Sequence, residues 1–154
     1  MNMPKTHLQA VLMATPDETE AQFYEALQHG DLERMMAVWL DDDEAACCIH
    51  PGSGRLSGKR AIRAAYEQLF SQGQGIDVRP MSVQRVTLPG GGTVLHHVVE
   101  RVQVNTAEGP RLIWVLATHL YLKTPEGWRL MVHHASPGSG REHHEGGEAP
   151  STLH

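Results

Sequence analysis

No stretch of this 154-residue chain is apolar for long enough to cross a bilayer. The longest apolar runs, such as Leu112 to Ala117, fall far short of the roughly 20 residues that a spanning helix needs. Long basic clusters are also missing, and the formal charge is −5, which argues against nucleic acid or an anionic membrane as a partner. Cysteine is scarce. Cys47 and Cys48 are adjacent, and adjacent cysteines rarely meet disulfide geometry with each other, so they read as reduced strand residues of a cytoplasmic protein. The opening MNMPKTHLQAVLMA has too brief an apolar patch for a secretory signal. There is no HExxH, no CxxC and no internal repeat, and nothing in the chain implies a cofactor.

What is present describes one soluble globular domain with a single core, with 40% hydrophobic and 20% charged residues. Histidine is the anomaly, at eleven residues including the pairs His96-His97, His133-His134 and His143-His144. A metal site would have to draw on His50, His97, Glu100, His119, His133 and His134. Neighbours on a strand point to opposite faces, however, so each strand pair offers at most one ligand to a given site, and no metal is expected.

Residues 1–14 lack a clear period and read as an arm. Helix signals then agree at Thr15-Pro16-Asp17-Glu18, where Thr15 can cap, Pro16 suits the first helical position and Glu18 completes a capping box. Ala21, Tyr24 and Leu27, with Phe23 beside them, supply an apolar face, and Gly30 ends the helix. Asp31 caps a second helix with Leu32, Met35, Met36 and Trp39 at i, i+3, i+4 and i+7. Asp41 to Asp43 read as a solvated turn and Ala45 to Ile49 as a short strand. His50 then stands before Pro51-Gly52, where proline removes a ladder donor and the strand should stop at an opening. Ser57 or Gly58 opens a third helix carrying Ile62, Ala65, Tyr66, Leu69 and Phe70.

From Ile76 the period changes to two. Residues 76–88, 93–105, 112–122 and 128–136 predict four strands joined by glycine- and proline-containing turns short enough to demand antiparallel neighbours. After Pro137 the tail, residues 138–154, has neither period nor apolar mass and reads as disordered. Helices followed by an antiparallel meander give an α+β fold. Taking the more apolar side of each strand as inward, Leu112, Trp114, Leu116, Thr118 and Leu120 face the helices, as do Trp128, Leu130, Val132 and His134. Ile113, Val115 and Ala117 are left for an outer face apolar enough to dimerise.

The order of elements, with YEALQHGDLERMMAVWLDD, then IHPGSGRLSGKRAIRAAYEQLF, then GWRLMVHHASP, resembles the nuclear-transport-factor-two-like superfamily. The similarity is to its SnoaL-like branch, whose relatives include ketosteroid isomerases and polyketide cyclases, and it covers about residues 15–137. It implies a cone, a curved antiparallel sheet wrapped around three N-terminal helices, open at one end and dimeric through the sheet's outer face. It also places His50-Pro51 where the isomerases carry an Asp-Pro whose Asp shuttles the proton. Phe23 falls where they carry an oxyanion-hole Tyr, and Thr118 or His119 where they carry a second donor. A phenyl ring cannot donate, so steroid isomerisation is not expected.

Two functions remain. One is a cone that binds a small apolar or amphipathic ligand, with acid–base chemistry at His50, Thr118 and His134 and walls from Phe23, Trp39 and Trp114. The other is a non-catalytic dimerisation or association module. For any one of these tryptophans plain core is the commoner role. The two functions are separated by whether His50, His134 and Thr118 converge on a pocket.

Overall fold

The computed structural model describes residues 11–139, so the arm up to residue 10 and the tail from residue 140 lie outside the described residues. Three helices come first: α1 (Pro16–His29), α2 (Leu32–Val38) and α3 (Lys59–Leu69). The strands are β1 (Cys47–Ile49), β2 (Arg55–Ser57), β3 (Asp77–Thr87), β4 (Thr93–Thr106), β5 (Gly109–Thr124) and β6 (Gly127–Pro137). They form one sheet in the order β2-β1-β6-β5-β4-β3, antiparallel except that β1 runs parallel to β6. This is an α+β cone in which a curved, open sheet is wrapped around three helices.

Local chemistry sets the helix ends. The Thr15 hydroxyl accepts the Glu18 amide at 3.1 Å, and Gly30 closes α1 in the left-handed region at φ 63°. The Glu18 carboxylate reaches back to the Ala14 amide, one residue before the position a capping box would use. Asp31 caps α2 through the Arg34 amide. Gly58, not a polar side chain, precedes α3, and β2 occupies Arg55 and Leu56, which the sequence reading assigned to no element, and Ser57, which it offered as a helix start.

The strand faces are the main correction. On β5 the buried positions are Val115, Ala117, His119 and Tyr121, whereas Trp114, Leu116, Thr118 and Leu120 lie on the other, partly exposed side. On β6 His133 and Ala135 are buried while His134 is exposed. The inward face is thus the one carrying histidine and small residues, and the leucine-rich face points away from the helices. A register shift between Leu120 and Tyr121 leaves Met131 unpaired on β6, so Leu130 and His133 both turn inward although they are three positions apart. Strict alternation fails at that bulge. Trp39 follows α2, forms a parallel bridge to Leu130 and is wholly buried in the core.

Candidate functional site

A cavity of about 420 Å³ opens between the helices and the concave face of the sheet, within the ~300–1,000 Å³ range of small-molecule sites. Phe23, Leu27, Val78, Val102, Ile113 and Val115 give it apolar walls. The lining residues Pro51, Ser53, Leu69 and Ile113 are exposed and form its rim, while Phe23, Tyr66, Glu100 and His133 are buried and form its floor. His50, half-buried, stands between rim and floor. Among the described residues no lysine or arginine lines it.

His50 follows the last residue of β1, and Gly52 in the next turn adopts φ 73°. Its ring lies edge-on to Tyr66, with centroids 5.4 Å apart, and Nε2 is 3.5 Å from the Cys48 sulfur. Burial pushes the His50 pKa down, so the ring is neutral near pH 7. Burial also pushes the Cys48 thiol up to about 12, which disqualifies it as a nucleophile at neutral pH.

Two buried carboxylates behave oppositely. Glu100, on β4, accepts a 2.6 Å hydrogen bond from the Tyr24 hydroxyl. Burial, reinforced by the charge of Glu20, outweighs that bond and raises its pKa. Glu20, on α1, is buried too, but its Oε2 meets His96 Nδ1 at 2.7 Å, His119 Nδ1 at 3.1 Å and the Tyr121 hydroxyl at 2.8 Å. Burial alone would raise it. The hydrogen bonds from His119, His96 and Tyr121 together with the field of His119 win, and hold it at about 2. From His119 the network continues outward, its Nε2 lying 2.8 Å from His133 Nδ1. Burial first, then the neighbouring imidazoles of His119, His50 and His134, keeps His133 well below the usual histidine range.

His50 and Phe23 line this cavity. Thr118 and His134 do not, because they project from the outer face, where the Thr118 hydroxyl is 3.5 Å from His97 Nδ1. Trp114 is on that outer face as well, and Trp39 is core. His50, His134 and Thr118 therefore do not converge. Of the side chains that do surround the cavity floor, Glu100 and His133 entered the sequence reading only as conceivable metal ligands, His119 as that and as the alternative to Thr118 for the second donor, and Glu20, behind them, not at all. Among the described residues no group of three or more His, Cys, Asp or Glu is arranged to hold a metal ion. One signal was available in the sequence. Glu20, Phe23, Tyr24 and Leu27 recur at i, i+3, i+4 and i+7, which puts a carboxylate on the buried stripe of α1.

None of the curated proteins matches this chain. Among solved structures it is similar to a Thiobacillus denitrificans protein provisionally designated a calcium/calmodulin-dependent protein kinase type II association domain. The identity is 32% over 83% of this chain and 98% of that one, with a TM-score of 0.68. It is similar also to a Streptomyces avermitilis protein provisionally designated a dehydratase of the NTF2-like family, with 26% identity, 89% and 100% coverage and a TM-score of 0.71. The CaMKII hub of S. rosetta shares the fold at 17% identity, covering 81% of this chain and 98% of that one, with a TM-score of 0.64. The SnoaL-like domain family matches residues 17–139, most of the chain. With all but the first residue of the helices, the curved sheet and the cavity inside that span, the protein belongs to the SnoaL-like family of the nuclear-transport-factor-two-like superfamily.

Proposed function

We propose that the cone binds a small, uncharged, largely apolar molecule and performs acid–base chemistry on it. The observation that carries this reading is one cavity whose apolar walls surround four titratable groups, His50, Tyr66, Glu100 and His133. Such a concave apolar site with a few polar groups of shifted pKa is the pattern expected of a reaction chamber. Similarity to the Streptomyces avermitilis protein, a designated dehydratase, supports the same direction. His50 stands on the way in and acts as a proton donor or acceptor toward the ligand. Phe23 is an apolar wall.

The test uses 2-tetralone, an uncharged ketone sized for the cavity. It should raise the thermal midpoint of the wild type, and Val102→Phe, which fills the cavity, should abolish that shift. His50→Ala should change stability by no more than about 1 kcal/mol, since it removes no packed core residue or cap. It should nevertheless weaken binding. A wild type indifferent to the ketone, or a Val102→Phe variant that binds it undiminished, would remove this reading.

A second reading, association, is favoured by the outer face and by the similarity to a designated association domain. Leu112, Leu116, Leu120 and Leu122 of β5 and Val132 of β6 lie on the side of the sheet away from the helices. That side is too apolar for a wholly solvated surface. The protein is expected to be a homodimer through this face, and Leu120→Asp should convert it to monomer. Light scattering that reports only monomer for the wild type at micromolar concentration would reject the dimer. The two readings use opposite faces and are compatible.

A further inference from the structure

Glu100 is the polar anomaly of the concave face. Along β4 it stands between Val98 and Val102 on the inward side, and its register partners across the sheet are Pro80 and Val115. The residue is 5% exposed and lines the cavity. Its one hydrogen bond among the described residues comes from the Tyr24 hydroxyl, at 2.6 Å to Oε2, which leaves Oε1 as an acceptor without a partner. A carboxyl group set among valines is costly to ionise, and burial has pushed its pKa up.

Glu20 is the contrast, because its charge is met by three donors, from His96, His119 and Tyr121. Nothing comparable reaches Glu100. The titratable groups near enough to act on it are Tyr24 and Glu20 on α1, Tyr66 on α3, and His119 and Tyr121 on β5. Of these the field of His119 favours the ionised form, but its Nδ1 is held by Glu20, and burial of Glu100 outweighs it. Burial keeps His50 and His133 below the ordinary histidine range, so neither brings a positive charge at neutral pH. Among the described residues no lysine or arginine lines the cavity. The floor thus presents a buried carboxyl group with no cation of its own.

We propose that the cavity takes a lipophilic tertiary amine, which pairs with Glu100 Oε1 as its ammonium. This deepens the ligand-site reading and rests on it, since the molecule enters as the uncharged free base. The nitrogen lone pair takes the Glu100 carboxyl proton. An N–H bond forms as the O–H bond breaks, and the ligand is left as an ammonium beside a carboxylate. A hydrogen bond between two ionised groups is about twice as strong as a neutral one, and apolar walls strengthen it further. A buried charge also needs its donors satisfied. A tertiary ammonium has a single N–H, which matches the single free oxygen of Glu100. The alkyl groups fit against Leu27, Val102 and Val115, and the rings of Phe23 and Tyr66 add walls that attract a cation. A primary ammonium would bring three N–H groups between those walls. An anion would meet two carboxyl groups and no cation to hold it.

The test compares ligands of one skeleton on the full chain at pH 7 by titration calorimetry. They are 2-(dimethylamino)tetralin, its quaternary trimethylammonium analogue, 2-tetralone and tetralin-2-carboxylate. The wild type should bind the tertiary amine at least about tenfold more tightly than the ketone, and the carboxylate least. The quaternary analogue keeps the charge but has no N–H, and should bind at least about fivefold more weakly than the tertiary amine. Glu100→Gln keeps an acceptor for Tyr24 and removes the carboxylate. It should bring the amine down to the affinity of the ketone, and leave the ketone within about threefold of wild type. Val102→Phe should abolish binding of both, which separates the cavity from adhesion of a cation to an acidic surface. If Glu100→Gln does not fold, the ranking of the ligands on the wild type decides alone. A ketone bound as tightly as the amine, or an amine advantage that survives Glu100→Gln, overturns the amine assignment and leaves the ligand site standing. Absence of binding by every ligand removes the ligand site, and the proposal with it.

Discussion

Glu20→Ala is expected to cost about 3–5 kcal/mol of stability, the scale for removing one partner of a buried charged pair. One carboxylate oxygen satisfies His96 Nδ1, His119 Nδ1 and the Tyr121 hydroxyl, and all three donors are buried. Deleting it strands them together. Each would cost about 1–3 kcal/mol alone, but the costs do not add, because the donors share one acceptor and the vacated space admits water. Glu20→Gln keeps the shape and one acceptor while adding an amide donor among donors, so its loss should be smaller, about 2 kcal/mol. Urea unfolding at pH 7 measures both. A loss below 1 kcal/mol for Glu20→Ala would mean that water replaces the carboxylate at no cost and that the network is incidental to folding.

Acid should unfold the protein in two stages, and the signs follow from the directions of the shifts. His50 and His133 have folded pKa values below the ordinary 6.5, so the unfolded chain binds protons first as the pH falls, and stability declines below about 6.5. Glu20 is depressed from 4.5 to about 2. Its contribution is fully present above 4.5 and is lost as the pH falls from 4.5 through 2, a drop worth roughly 3 kcal/mol. Glu100 works the other way. Its raised folded pKa makes it a liability above that value, and acidification toward 4.5 relieves it. The expected profile is therefore a shallow decline below 6.5, partly offset by Glu100, and a steep one below 4.5. Denaturant midpoints from pH 8 to 2.5 give the curve. His133→Gln should flatten the first decline and Glu20→Gln the second. A wild type equally stable at pH 7 and pH 3 would contradict the assigned charge states.

Much of the fold is legible in the residues because its signals are local. Thr15, Pro16, Asp31 and Gly30 act within one helical turn, and a change of period near Ile76 needs only its neighbours to be seen. The meander follows from short turns, since a two- to five-residue link can join only antiparallel strands. β2 is too short to carry a period, so nothing in its three residues marks a strand until pairing with β1 defines it. At the site, His50 is visible because Pro51-Gly52 marks a strand end in sequence.

Which face of each strand turns inward is a different kind of fact. Alternation divides β5 into two sets, and the more apolar set, Leu112, Trp114, Leu116 and Leu120, is the natural choice for a core. The tertiary structure places it outside, because the concave face must hold a cavity and a polar network, for which alanine, valine and histidine fit and a row of leucines does not. On β6 the unpaired Met131 changes parity partway along the strand, and no count of residues reveals a bulge that pairing with β5 creates. Glu20, His119 and His133 are the limiting case. They are far apart in the chain, each unremarkable alone, and become a network only when α1 crosses a row of register-matched strands. Sequence determines elements through contacts between neighbours; the site is made of contacts between strangers, and only the folded sheet brings those together.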